Sequence, residues 1–140
     1  MTQNEDAIIE QALSILELRL KSRAVFSDPD EVKSFLRLQS RGLAEETLAV
    51  MYLDGEGRLI EYERQSAVDP PKIARDALIK NAAGVIIHHN NSDRSCWPSL
   101  IAWDETIQIQ DALNAVGLSV IDHVVTSEES LFSMAESKHY

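Results

Sequence analysis

Gly84-Val85-Ile86-Ile87-His88-His89-Asn90-Asn91-Ser92-Asp93-Arg94-Ser95-Cys96-Trp97-Pro98-Ser99 is the stretch on which the fold turns. Val85-Ile86-Ile87 is a short run of β-branched residues, the signature of a strand buried on both faces. Polar and reactive side chains crowd the next positions, and Pro98-Ser99 supplies an N-cap residue and a helix-opening proline. Strand, reactive loop, helix is the order in which α/β folds present their sites, at the C-terminal ends of strands.

Working outward, Pro70-Pro71 opens a helical segment with apolar residues at Ile73, Ala77, Leu78 and Ala82, which Gly84 is expected to stop. Before it, Thr47 to Leu53 and Leu59 to Glu63 flank Asp54-Gly55-Glu56-Gly57, which predicts a hairpin. Ile9, Leu13, Leu16 and Leu20 recur at helical spacing, with Thr2 and Glu5 placed for a capping box. Ser27-Asp28-Pro29-Asp30-Glu31 starts a second helix over about 29–41, and Gly42 is placed to end it. Beyond the central stretch, Ile101, Ile107, Leu113 and Val116 are read as the apolar face of a helix ending at Gly117. A last strand follows from Leu118 to Val125, and then a short element at Leu131-Phe132. The order ααββαβαβ predicts a mixed α/β domain, one sheet with flanking helices.

At 140 residues the chain is one domain long and large enough for a core without staples. Thirteen Lys and Arg against 23 Asp and Glu leave a net charge of −10, and the basic residues are scattered, which opposes nucleic-acid binding and favours a protein partner. The longest apolar run is too short to cross a bilayer, and the acidic N-terminus lacks a secretion signal, so the cytoplasm is the expected compartment, without membrane attachment. The lone Cys96 forms no intrachain disulfide.

From about Gly42 to Glu136 the chain resembles the RadC-like branch of the JAB/MPN domains. Glu46 precedes Val50-Met51-Tyr52-Leu53-Asp54, where the family has a Glu before a strand ending in Leu-Asp. Pro70, Ile73, Arg75, Ala77-Leu78 and Asn81-Ala82 follow the family's helix ahead of the metal loop. Pro98-Ser99 with Thr106, Asp122-His123 and Leu131-Phe132-Ser133 follow its later landmarks. The resemblance implies a cytidine-deaminase-like three-layer fold, with residues 1–41 as a leader of two N-terminal helices and 42–140 as the JAB/MPN domain. It also implies an ancestral zinc-dependent peptidase or isopeptidase chemistry and, by the RadC name, an association with DNA repair. In such a JAMM-type site two His and one Asp hold zinc, a Glu acts as general base on the metal-bound water and a Ser steadies the oxyanion.

Carried over position by position, Glu46 takes the general base, His89 the first metal ligand and Ser99 the oxyanion position. The second ligand falls on Asn91 and the third on Ala102, so two of three ligands are lost. The resemblance therefore implies a degenerate zinc site in a pseudoenzyme, a binding or regulatory module with no cofactor. One alternative is a hydrolase whose rearranged zinc site uses His89 and Glu46 with Asp93 or Asp104, and with Cys96; another is an accessory protein in DNA processing.

The residues themselves constrain the substitutes. His88 adjoins His89 on a strand and points to the opposite face. Asp104 lies two residues past the expected ligand, about 200° round a helix and about 3 Å along it. Arg94 would place a cation near the metal position, suited to an anion or a partner's carboxylate. Trp97 and Trp103 flank the site and read as core packing or as a partner surface. Asp122 and His123 point to opposite faces and read as independent structural polar groups. An apolar sheet edge or the N-terminal helices would serve a homodimer.

Overall fold

The computed structural model describes residues 3–41, 46–91, 100–127 and 130–136. Two helices, α1 (Gln3–Ser22) and α2 (Pro29–Ser40), are joined by a short 3-10 turn at Val25–Ser27. Asp28 caps α2 by accepting the Glu31 N–H at 3.2 Å, with Pro29 at the first helical position. The hairpin follows as β1 (Thr47–Leu53) and β2 (Leu59–Gln65). The Asp54 carboxylate closes its turn by accepting the Glu56 and Arg58 N–H groups, each at 2.9 Å. Then come α3 (Pro70–Ile79), β3 (Gly84–Asn90), α4 (Leu100–Asn114), β4 (Ser119–Thr126) and the short β5 (Leu131–Ser133).

The five strands form one mixed sheet in the order β2-β1-β3-β4-β5, with β3 and β4 parallel and the other neighbours antiparallel. Leu48, Val50, Tyr52, Val85 and Ile87 point to one face and pack with Ile73 and Ala77 of α3 and Ile109 and Leu113 of α4. Met51, Leu53 and Ile86 point to the other, where Leu20, Phe35 and Leu36 of α1 and α2 cover them. Two cores on the two sides of one sheet make three layers, and the central strands are apolar on both faces because both are covered. Past the α1–α2 pair, an apolar slot of about 240 Å³ lies between α2 and the β4–β5 side of the sheet, lined by Val32, Leu36, Ile121, Val124 and Leu131. Among the described residues no helix is long and apolar enough to cross a membrane.

Three expectations are corrected. Helix α3 ends at Ile79, not at Gly84: Asn81 takes the left-handed conformation at φ 58°, and the Ala82 N–H closes the helix end on the Ala77 carbonyl at 2.8 Å. Gly84 instead opens β3, where a Cβ would lie 2.8 Å from the movable tip of Ile121, Cδ1, and 3.1 Å from the Ser119 carbonyl, so the position is tight for a larger residue. Leu78 is exposed, as are Ile107 and Val116. The buried face of α4 is Thr106, Ile109 and Leu113, at i, i+3 and i+7; Ile107 lies six residues before Leu113, a spacing that puts the two on different helix faces. The caps expected from Thr2 and Gly42 and the helix start at Pro98-Ser99 lie outside the described residues, as does the side chain of Ile101.

Candidate functional site

The antiparallel register of β1 on β3 pairs Thr47 with Asn90 and Leu48 with His89. Glu46, one residue before β1, therefore meets the C-terminal end of β3, and its Oε2 lies 3.7 Å from His89 Nε2. The carboxylate is more than half exposed whereas the imidazole is largely covered, so the pair forms a lip with a buried floor. His89 Nδ1 is buried and has no hydrogen-bond partner.

His123 of β4 stands next to it, with ring centroids 6.2 Å apart. A bulge brings it there. Val85 pairs with Val120 but Ile86 pairs with Asp122, so Ile121 is an extra residue and reverses the alternation beyond it. His123 then faces α4, where its Nδ1 hydrogen-bonds the buried Thr106 hydroxyl. Its Nε2 is buried without a partner. Burial, and after it the neighbouring His89 and His88, lowers the His123 pKa to about 3, so the ring is neutral. Asp122 points to the other face, accepting from the Ser133 hydroxyl at 2.5 Å and the Ala135 N–H at 3.0 Å.

His88 also belongs to that other face. Its Nδ1 is 2.8 Å from the Tyr62 hydroxyl, and its Nε2 is 2.8 Å from Thr126 Oγ1 and 3.1 Å from Ser40 Oγ. Ser40 Oγ also lies 2.9 Å from the Leu36 carbonyl and 2.6 Å from Thr126 Oγ1. Burial lowers the His88 pKa to about 3 and raises that of Tyr62 to about 12, so both groups are neutral at pH 7. The network ties α2, β2, β3 and β4 together directly behind the Glu46–His89 contact.

Of the other residues singled out from the sequence, Asn91 donates its N–H to the Thr126 carbonyl at 2.8 Å and prolongs the strand pairing. Asp104 faces solvent and accepts from Gln108 at 2.8 Å, apart from the His89 cluster. Trp103 is half-buried on α4. Asp93, Arg94, Cys96, Trp97 and Ser99 lie outside the described residues. The residues that sequence reasoning missed are His123, which neighbours His89, and Thr106, which hydrogen-bonds His123. Both stood in the family pattern as landmarks, but no residue in the sequence announces the bulge that places them.

A family model described as RadC-like JAB domain matches residues 26–139. The chain belongs to the RadC-like JAB family. It is similar to the UPF0758 proteins of Pseudoalteromonas translucida, at 34% identity over 137 residues, and of Cellvibrio japonicus and Leptothrix cholodnii, each at 36% over 137 residues. Each similarity takes in 93% of this chain. It takes in only 61% of the first two relatives and 62% of the third, so the chain spans less than two thirds of their length.

A JAB-type zinc centre needs three protein donors and a water. In this RadC-like chain position 91 offers an amide, and the alanine at 102 has no donor atom in any orientation. No group of three His, Cys, Asp or Glu side chains that could hold a metal occurs among the described residues. The described donors do not fit the three-ligand centre.

Proposed function

We propose that this RadC-like JAB domain is a non-catalytic binding module in which the former metal position is held by protein groups. The observation that carries the reading is the contact of Glu46 Oε2 with His89 Nε2 at 3.7 Å, which joins the base and first-ligand positions directly while positions 91 and 102 carry no ligand of the zinc-binding kind. A carboxylate beside an imidazole makes a polar lip suited to hydrogen-bonding a partner's backbone or side chain. The net charge of −10 favours a protein over a nucleic acid as that partner.

The test is metal analysis of untagged protein before and after dialysis against zinc, with His89→Ala as the comparison. Zinc well below one equivalent and unchanged by the substitution supports the binding module. About one equivalent, lost in His89→Ala, overturns it. One observation favours that second reading, a zinc hydrolase with a rearranged site using His89 and Glu46: His89 Nδ1 and His123 Nε2 are both buried without partners, and a neutral imidazole nitrogen is a good zinc donor. Peptidase assays with Glu46→Gln as the control would follow that outcome.

A further inference from the structure

Helix α1 has two apolar faces. Leu13, Leu16 and Leu20 face the core, whereas Ile8, Ile15 and Leu18 are 59%, 52% and 67% exposed. At 100° per residue the exposed set centres about 150° from the buried one, so it looks away from the core that the buried set covers. In heptad terms Ile8 and Ile15 occupy a positions and Gln11 and Leu18 occupy d positions.

We propose that this face binds α1 of a second copy of the chain, in an antiparallel pair. The charges choose both occupant and direction: the first turn of α1 carries Glu5 and Asp6, and the last turn carries Arg19 and Lys21. An antiparallel partner sets each acidic end against a basic end, whereas a parallel one stacks like on like. Arg19 and Lys21 also face Glu31 and Glu17, each at 3.6 Å, but at 60% and 44% exposure both remain open to a second carboxylate. The apolar positions fit the same direction. With Ile8 opposite the partner's Leu18, Gln11 falls opposite the partner's Ile15 and Asn4 opposite the partner's Ser22. All three are the a-to-d layers that an antiparallel pair requires. Glu5 and Arg19 then lie on the same flank of the seam. A 20-residue helix is about 30 Å long, and a seam of that length buries less than the roughly 800 Å² per partner of a standard interface, so the dimer is weak and concentration-dependent.

Sedimentation velocity on the full chain, from about 1 µM to several hundred µM, reads this directly. We expect a monomer–dimer equilibrium that Leu18→Glu and Ile8→Glu each weaken at least about tenfold, with unchanged circular dichroism because both positions are exposed. Nitroxide labels at Ser14 and at Ser22, in a Cys96→Ser background, read the direction. Ser14 lies next to the twofold axis and gives a short distance, while the two Ser22 labels are offset by about 27 Å along the helices. A monomer at every concentration, a dimer indifferent to both charged substitutions, or short distances at both labels would each overturn the proposal.

Discussion

Tyr52 and Tyr62 stand on neighbouring strands of the hairpin, and the same conservative change separates them. The Tyr62 hydroxyl serves His88 Nδ1, so Tyr62→Phe leaves a buried ring nitrogen unpaired and costs about 1–3 kcal/mol in urea unfolding. The Tyr52 hydroxyl is buried without a partner, so Tyr52→Phe removes an uncompensated group and is expected to leave stability unchanged or raise it by up to about 1 kcal/mol. Equal losses from both substitutions would contradict these assignments. The two buried histidines add a pH dependence. Burial is the first cause of both shifts, and the folded pKa values, about 3, lie below the ordinary 6.5, so the folded chain binds fewer protons than the unfolded one. Their contribution is complete above about pH 6.5 and is lost as pH falls toward 3, approaching about 1.4 kcal/mol per pH unit for each ring. Urea midpoints measured at pH 7.5, 6 and 5 should fall in that order, and the fall should shrink in a His123→Asn variant. The opposite faces of His88 and His89 were legible in the sequence because two adjacent residues on a regular strand have no other choice.

Elements were legible where the chain states their ends. Asp28 before Pro29 and the Asp54-Gly55-Glu56-Gly57 turn name their own structures, and each is found where those residues put it. The end of α3 was misread because Asn81, not the nearest glycine, takes the left-handed position. The bulge at Ile121 had no residue to announce it. An extra residue in a parallel pair is set by the packing of β4 on β3, which a single strand's pattern does not contain. The candidate site suffered most, since strict alternation after Val120 would send His123 to the face of α2 rather than α4. Gly84→Ala tests the close approach at this point: the added Cβ meets Ile121 Cδ1 at 2.8 Å and the Ser119 carbonyl at 3.1 Å, at an expected cost of about 1–3 kcal/mol. A stability equal to wild type would mean that the Ile121 side chain turns aside without cost.

At the scale of the molecule, the sheet manages its edges by charge. β2 is an edge strand, and on its α3 side Glu61 and Glu63 pair with Lys80 at 2.8 and 3.4 Å, which makes another sheet edge a poor partner there. The scattered basic residues and the net charge of −10 predict no shift of duplex DNA in a gel assay even at low salt, where such binding is strongest. A salt-sensitive shift would point to a local basic surface that the composition conceals. The register that brings Glu46 to His89 carries one more consequence, for assembly. β1 and β2 are joined by a tight turn, whereas β3 reaches β1 through a connection that includes α3, and β4 reaches β3 through one that includes α4. Glu46 precedes β1, His89 lies near the end of β3 and His123 lies within β4, with long intervals of chain between them, so no fragment shorter than residues 46–123 contains the cluster. A spectroscopic probe placed there is expected to report the joining of β1, β3 and β4, and so to distinguish a finished molecule from one in which only the hairpin has formed.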